Sequence, residues 1–262
     1  MQTVDFTDRA VKLSCGDCLE LMKDIPDQSI DMILCDPPYG CTAAEWDSIV
    51  PIDEMFAEYR RIITPCGAIA VFGTEPFSTK LREAAMDIFR YDWVWIKNKT
   101  VGFAHAKNKP MKKHEIISMF SLGTTGHLSQ YTGGVKHKMS YYPQGLEDCY
   151  MPKETSRSKT DSIFPPRPSH GSYVQTKTGY PTSVLNFNVP TKRVHVNQKP
   201  VELLSYLVKT YTKEGETVLD NCMGSGSTGI ACIDTGRRFI GMEKDEKIFD
   251  IAVNRIKERL QI

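Results

Sequence analysis

The sequence predicts an α/β protein built on a doubly wound, mostly parallel sheet. Three observations carry that prediction. Apolar runs of strand length alternate with helical spacing as far as Ile96, and the same alternation resumes after Pro200. Two of the strands run straight into ligand-type turns, Asp36-Pro37-Pro38-Tyr39 and the glycine-rich stretch from Asp220 to Gly229.

Taken in order, Ala10–Cys15 reads as a strand, Cys18–Lys23 as a short helix and Ile30–Cys35 as a second strand. Ile52–Ile63 places Met55, Phe56, Tyr59 and Ile62 at helical spacing, and Pro65-Cys66-Gly67 stops that helix. Ala68–Phe72 is a continuous apolar strand of the kind buried on both faces. Ser78 is placed to cap a helix running to Phe89, and Tyr91–Ile96 is a further strand. The alternation breaks at Lys97, although His114–Leu122 still reads as a strand. From Gly123 to Pro190 no periodicity is sustained, and the scattered aromatic residues indicate an ordered insert rather than a linker. A helix then starts at Pro200 with Leu204, Leu207, Val208 and Tyr211 on one face. Glu216–Asp220 is a strand, Ile230–Thr235 a helix, Arg238–Met242 a strand closed by Glu243, and Glu246–Leu260 the last helix. The boundaries are therefore 1–122 and 191–262 for the two parts of one domain, with 123–190 inserted.

The chain has 262 residues, 40 % hydrophobic and 25 % charged, which is enough to bury a substantial core. No apolar run reaches membrane-spanning length, and the N-terminal stretch lacks the apolar segment of a signal peptide. The eight cysteines are scattered through strands and helices, as in a reduced, cytoplasmic protein. Cys15-x-x-Cys18, followed by Cys35 and Cys41, lacks the second pair that a structural zinc site needs, so no metal is assigned.

The net charge of +1 hides an asymmetry. Between Lys97 and Pro200 there are 16 Lys and Arg against 5 Asp and Glu, and the rest of the chain holds 17 against 27. A basic segment on an acidic body is the footprint of a surface that meets phosphates.

Asp36-Pro37-Pro38-Tyr39 supplies a charged acceptor, a rigid turn with free carbonyls, and a flat ring. That set suits a planar group bearing an exocyclic amine. The stretch from Asp220 to Gly229 matches G-x-G-x-x-G between a strand and a helix, and Glu243 closes the next strand where a ribose-binding acid belongs. A dinucleotide or another adenosine-bearing cofactor would fit. A nicotinamide-type domain has this motif on its first strand, whereas here one strand follows it and the chain ends. The missing strands must be those of the N-terminal half, which brings both motifs to one sheet edge.

Together these residues resemble the S-adenosylmethionine-dependent amino-methyltransferases of DNA in the circularly permuted, β-class order. The resemblance covers most of the chain outside roughly Gly123–Ser172. It implies a Rossmann-like methyltransferase sheet with a target-recognition insert. It also implies Asp36, Pro37, Pro38 and Tyr39 as the catalytic tetrapeptide, whose Asp form is more typical of adenine N6 than of cytosine N4 enzymes. Gly16-Asp17, with Cys18 beside it, matches the segment that contacts the cofactor's adenine. His195–Pro200 resembles a box whose lysine neighbourhood, Lys199 and Pro200, holds the methionine carboxylate. Asp220, Gly224, Ser225, Gly226, Ser227 and Thr228 match the cofactor loop, and Glu243 the ribose-binding acid, while Asp36 is counted among the cofactor-binding residues as well. His114–Ile117 and Tyr180–Val184 resemble segments flanking the recognition region. Val196-Asn197 and Asn221-Cys222 depart from the family's Pro-Thr and Pro-Phe.

The resemblance implies S-adenosyl-L-methionine as cofactor and double-stranded DNA as substrate, with Lys97, Lys107, Lys109, Lys112 and Lys113 as phosphate ligands. It allows a homodimer and a cognate restriction enzyme, and no membrane is involved. Cytosine N4 methylation is the nearest alternative. A catalytically silent DNA-binding module is the alternative from another class.

Overall fold

The computed structural model describes residues 2–6, 10–40, 48–126, 137–154, 172–191 and 198–262. They form two compact units, one of residues 1–142 and 183–262 and the other of residues 143–182. Among the described residues, the larger unit is an open nine-stranded sheet with helices on both faces.

Its strands in chain order are β1 (Gln2–Phe6), β2 (Val11–Cys15), β3 (Ile30–Cys35), β4 (Ile63–Gly73), β5 (Phe89–Val101) and β6 (Lys112–Phe120). The smaller unit holds β7 (Glu147–Glu154) paired antiparallel with β8 (Ser172–Thr178). The large sheet is completed by β9 (Val184–Asn186), β10 (Thr217–Asp220) and β11 (Arg238–Glu243). Across the sheet the order is β1-β2-β11-β10-β3-β4-β6-β5-β9. The run from β2 to β4 is parallel, while β1 and β6 run antiparallel to their neighbours. The chain leaves β10 towards β11 and leaves β3 towards β4, so the order reverses between β10 and β3. Open α/β sheets bind ligands beyond the carboxyl ends of their strands at such a point.

Six α-helices among the described residues cover the sheet: α1 (Cys18–Met22), α2 (Ile52–Ile62), α3 (Phe77–Ala84), α4 (Val201–Tyr211), α5 (Ser227–Asp234) and α6 (Glu246–Leu260). Alternation along the strands sorts the core into two. Met32 and Leu34 of β3 and Ala68, Ala70 and Phe72 of β4 pack beneath α4, α5 and α6. Ile33 and Cys35, with Ile69 and Val71, pack beneath α1, α2 and α3.

Several elements differ from the sequence expectation. An extra strand, β1, pairs antiparallel with β2 at the sheet edge. Ser78 does not cap α3; it lies inside the helix, fully buried, with Pro76 at the cap position, and the helix ends at Ala84. The strand–helix alternation breaks as expected, but the strand itself does not end at Ile96: β5 runs on past Lys97 to Val101 and β6 returns from Lys112, making one long hairpin with only the 3-10 turn Phe103–His105 between them. Val184–Asn186 is a ninth strand of the large sheet, parallel to β5. The last turn of the glycine loop is already helical, since α5 starts at Ser227 and Gly226, at φ +76°, takes its cap position.

Candidate active site

Four neighbouring parallel strands each deliver an acid to the same edge. β2 leads to Asp17, β11 ends in Glu243, β10 ends in Asp220 and β3 leads to Asp36. They border a cleft of about 500 Å³, within the range of small-molecule sites. The cleft is also lined by Cys18, Pro37, Pro38, Tyr39, Lys199 and the loop from Asn221 to Ser225. Pro200, Gly226 and Thr228, expected at the cofactor, do not line it.

At the glycine-loop corner the backbone is braced from several sides. Glu243 Oε2 accepts the Gly224 N–H at 3.0 Å, and its Oε1 accepts the Asp245 N–H at 2.9 Å. Burial holds the Glu243 carboxyl above its ordinary range. Asp220 accepts the Cys222 N–H at 3.1 Å and the Thr228 hydroxyl at 2.6 Å. Burial pushes Asp220 up to about 7 despite those two donors. The Asp220 and Thr228 side chains thus serve the loop itself. Ser225 and Ser227 are likewise engaged, by Arg255 Nη1 at 2.9 and 3.3 Å from their hydroxyls. Arg255 was not marked by any sequence pattern. Asn221, one of the two departures in this loop, accepts the Tyr59 hydroxyl at 2.6 Å and ties the loop to α2. Asp17 caps α1 by accepting the Leu19 N–H at 3.0 Å, and Gly16 N–H donates to the Glu243 carbonyl at 2.9 Å. Gly224 sits at φ +51°, and no atom lies within 4 Å of the place a Cβ would take, so this face of the loop is open.

At the other corner Asp36 is gripped from both faces of the sheet. Tyr39 donates its hydroxyl to Asp36 Oδ1 at 2.5 Å, and its ring lies 5.2 Å from Phe77. From the α4 side, the Lys199 ammonium pairs with Asp36 Oδ2 and sits 5.1 Å from the Phe72 ring centre. Lys199 is also 3.5 Å from Glu115 Oε2, while Glu115 Oε1 takes Lys97. Burial works against the Lys199 charge, but Asp36 and Glu115 outweigh it and hold the ammonium protonated above its usual range. Burial likewise opposes the Glu115 charge, yet Lys199 and Lys97 keep its carboxyl below the usual range.

The expected phosphate ligands divide. Lys107, Lys109 and Lys113 are exposed on the β5–β6 hairpin, and Lys112 is half-buried at the cleft. Lys97 differs from them: its side chain is 14 % exposed and paired with Glu115. Of the box from His195 to Pro200, only Gln198, Lys199 and Pro200 are among the described residues. Cys41 also lies outside them, and among the described residues no group of His, Cys, Asp and Glu is arranged to hold a metal ion. No helix of the described residues is long and apolar enough to cross a membrane.

The acid-lined cleft thus lies at the switch point of an open, mostly parallel sheet, where the doubly wound α/β folds bind their ligands. The chain belongs to the N6/N4 DNA methylase family, whose model matches residues 30–254. The type II methyltransferase M.HinfI of Haemophilus influenzae is 25 % identical over 291 aligned residues, covering 97 % of this chain and 69 % of its own. Among solved structures, an M1.HpyAVI–SAM complex superposes with a TM-score of 0.60 at 21 % identity, covering 94 % of this chain and 99 % of that one. The cytosine-N4-specific PvuII DNA methyltransferase superposes with a TM-score of 0.62 at 13 % identity, covering 96 % and 92 %. At those identities the structural likeness is one of fold.

Proposed function

We propose that the protein is a site-specific, adenine-directed DNA methyltransferase that uses S-adenosyl-L-methionine. The observation that carries this reading is the placement of Asp36, with Pro37 and Tyr39, at one end of a cleft whose other end is formed by Glu243 and an open glycine loop. The Asp form of the tetrapeptide favours adenine N6. The fold shared with a cytosine-N4-specific enzyme favours N4 as the second reading.

The cleft suits the cofactor. Its volume, the open face of Gly224 and the acids on neighbouring strands match an adenosine with two ribose hydroxyls. Asp17 and Cys18 would border the adenine, Glu243 would accept from the ribose, and the Lys199–Pro200 neighbourhood would hold the methionine end. Bound there, S-adenosylmethionine would supply an electrophilic sulfonium methyl group: the new N–C bond would form as the C–S bond breaks, S-adenosylhomocysteine would be the leaving group, and the methylated ammonium, strongly acidic, would then lose its proton.

The chain's own task is to prepare that nitrogen. An aromatic amine is a poor nucleophile because its lone pair is delocalised into the ring. Asp36 and the Pro37 carbonyl, accepting its two N–H bonds, draw the nitrogen towards a tetrahedral shape and free the lone pair; positioning is the main source of rate. The base must leave the duplex to arrive here, and Tyr39 offers it a stacking face. Duplex DNA would lie along the hairpin carrying Lys107, Lys109, Lys112 and Lys113, with base readout from the 123–190 insert. On the same reading the enzyme works in the cytoplasm, and its family resemblance allows a homodimer and a cognate restriction enzyme.

Incubation with methyl-labelled S-adenosylmethionine tests the reading. Label should enter duplex DNA with the intact protein and not with Asp36→Asn. Label appearing in RNA or protein instead, or equally with the variant, would overturn it.

A further inference from the structure

No motif gives Glu115 a role, yet it closes a buried chain of charges that ends on Asp36. In order, the chain is Lys97, Glu115, Lys199 and Asp36. Two acids and two ammonium groups make it neutral, which is how four charges tolerate burial together. One atom in it is incompletely served. Glu115 Oε2 is buried and forms no hydrogen bond among the described residues, and the Lys199 ammonium is 3.5 Å away.

We propose that Glu115 is a positioning residue that takes Lys199 from Asp36 when a target amine enters the cleft. This rests on the methyl-transfer reading of the same site. The charges supply the reason. An ammonium in contact with Asp36 Oδ2 withdraws the negative charge that must polarise the amine. As the nitrogen gains the methyl group it turns positive, and a lysine held on the same carboxylate opposes that charge. The Lys199 side chain is only 10 % exposed, so an ammonium leaving Asp36 is better met by an acid than by water. Glu115 is the acid already beside it.

The framework favours movement of Lys199 rather than of Glu115. Glu115 faces Trp95 in the β5–β6 ladder, and Lys97, two residues beyond Trp95, holds its Oε1. With one oxygen anchored, the other is presented to Lys199. Lys199 lies in the turn before α4 on a four-carbon stem, and needs to travel only from one carboxylate to the next. The sum of charges is the same in both positions, so the transfer brings no new net charge into the interior. Tyr39 stays on Asp36 Oδ1 throughout and keeps the carboxylate aimed.

The test uses the full chain and a DNA duplex carrying the protein's own methylation site, mapped beforehand with the unaltered protein. Glu115→Gln should lower kcat by at least about 10-fold, the scale of a small misplacement of reacting groups. The KM for DNA and the affinity for S-adenosylhomocysteine, read by calorimetry, should stay within about threefold. Lys199→Met with Glu115→Gln should be no slower than Lys199→Met alone, because Glu115 acts through Lys199. A structure of the complex with duplex and S-adenosylhomocysteine should have Lys199 Nζ hydrogen-bonded to Glu115 Oε2 and released from Asp36. Should Glu115→Gln fail to fold, Lys97→Met/Glu115→Gln, which also removes the lysine that anchors Glu115, carries the same expectation. A kcat within twofold of the unaltered protein, losses that multiply in the double variant, or a complex that keeps Lys199 on Asp36 would each overturn the handover. Absence of any transfer by the unaltered protein would instead overturn the methyl-transfer reading, and the handover with it.

Discussion

Glu243 accepts the N–H of Gly224 at 3.0 Å, so the acid that ends β11 also fixes the loop that opens α5. On the proposed reading, cofactor recognition and loop geometry thereby share one carboxylate. Glu243→Gln keeps the shape but turns one acceptor oxygen into a donor, which cannot take both the Gly224 and the Asp245 N–H groups. Affinity for S-adenosylhomocysteine should fall by at least about 10-fold, the scale of a charge-assisted hydrogen bond. Calorimetric titration of the two proteins checks this, and equal affinities would exclude Glu243 from the cofactor site.

On the proposed reading, Asp36 serves the methyl transfer more than the binding of the cofactor. Asp36→Asn retains a carbonyl for the Tyr39 hydroxyl but loses the charge that polarises the amine. Methyl transfer should drop by about 100-fold or more, as when a preorganised charge partner is removed. Cofactor affinity should change less than about threefold. Parallel single-turnover and binding measurements separate the two effects. A matched fall in both would place Asp36 in binding alone.

Asp220 couples stability to pH. Its carboxyl is raised to about 7 in the folded chain, so folding favours its protonated form. The stability that it contributes is present below about pH 4 and is lost as pH rises through about 7. Relative to Asp220→Asn, the protein should lose up to about 4 kcal/mol across that window, at about 1.4 kcal/mol for each tenfold difference in proton affinity between the folded and unfolded chains. Urea unfolding of both proteins at several pH values measures the difference. If the difference does not vary with pH, the carboxyl titrates alike in the folded and unfolded chains.

The exposed hairpin lysines should set the salt dependence of DNA binding. Replacing Lys107, Lys109 and Lys113 by Gln should flatten the plot of log affinity against log salt by about 2 to 3, at about 0.9 per phosphate contact. Lys97→Gln should leave the slope unchanged because Glu115 already holds that lysine. Titrations at four salt concentrations decide it, and a slope unmoved by the triple variant would move the DNA elsewhere on the surface.

Much of the large sheet was legible because its signals are local. Apolar runs mark β2, β3, β10 and β11, and each is followed or closed by the acid that it delivers to the cleft. The last helix, with its Asp245 cap, was equally plain. What escaped depends on distant partners. Val184–Asn186 is too short to show a period and becomes a strand only by pairing with β5. Lys199 meets Asp36 across 163 positions, and Arg255 reaches Ser225 across 30. Glu115 lay in a strand and in a segment resembling the family's, but neither shows the two lysines that converge on it. Ser78 carried a capping signal that the buried packing of α3 overrode.

Nucleoside mass spectrometry of duplex DNA incubated with the protein and S-adenosylmethionine tests the central claim most directly. The account predicts N6-methyladenine, at sites that sequencing can then map. N4-methylcytosine, or unmodified DNA alongside demonstrated cofactor binding, would contradict it.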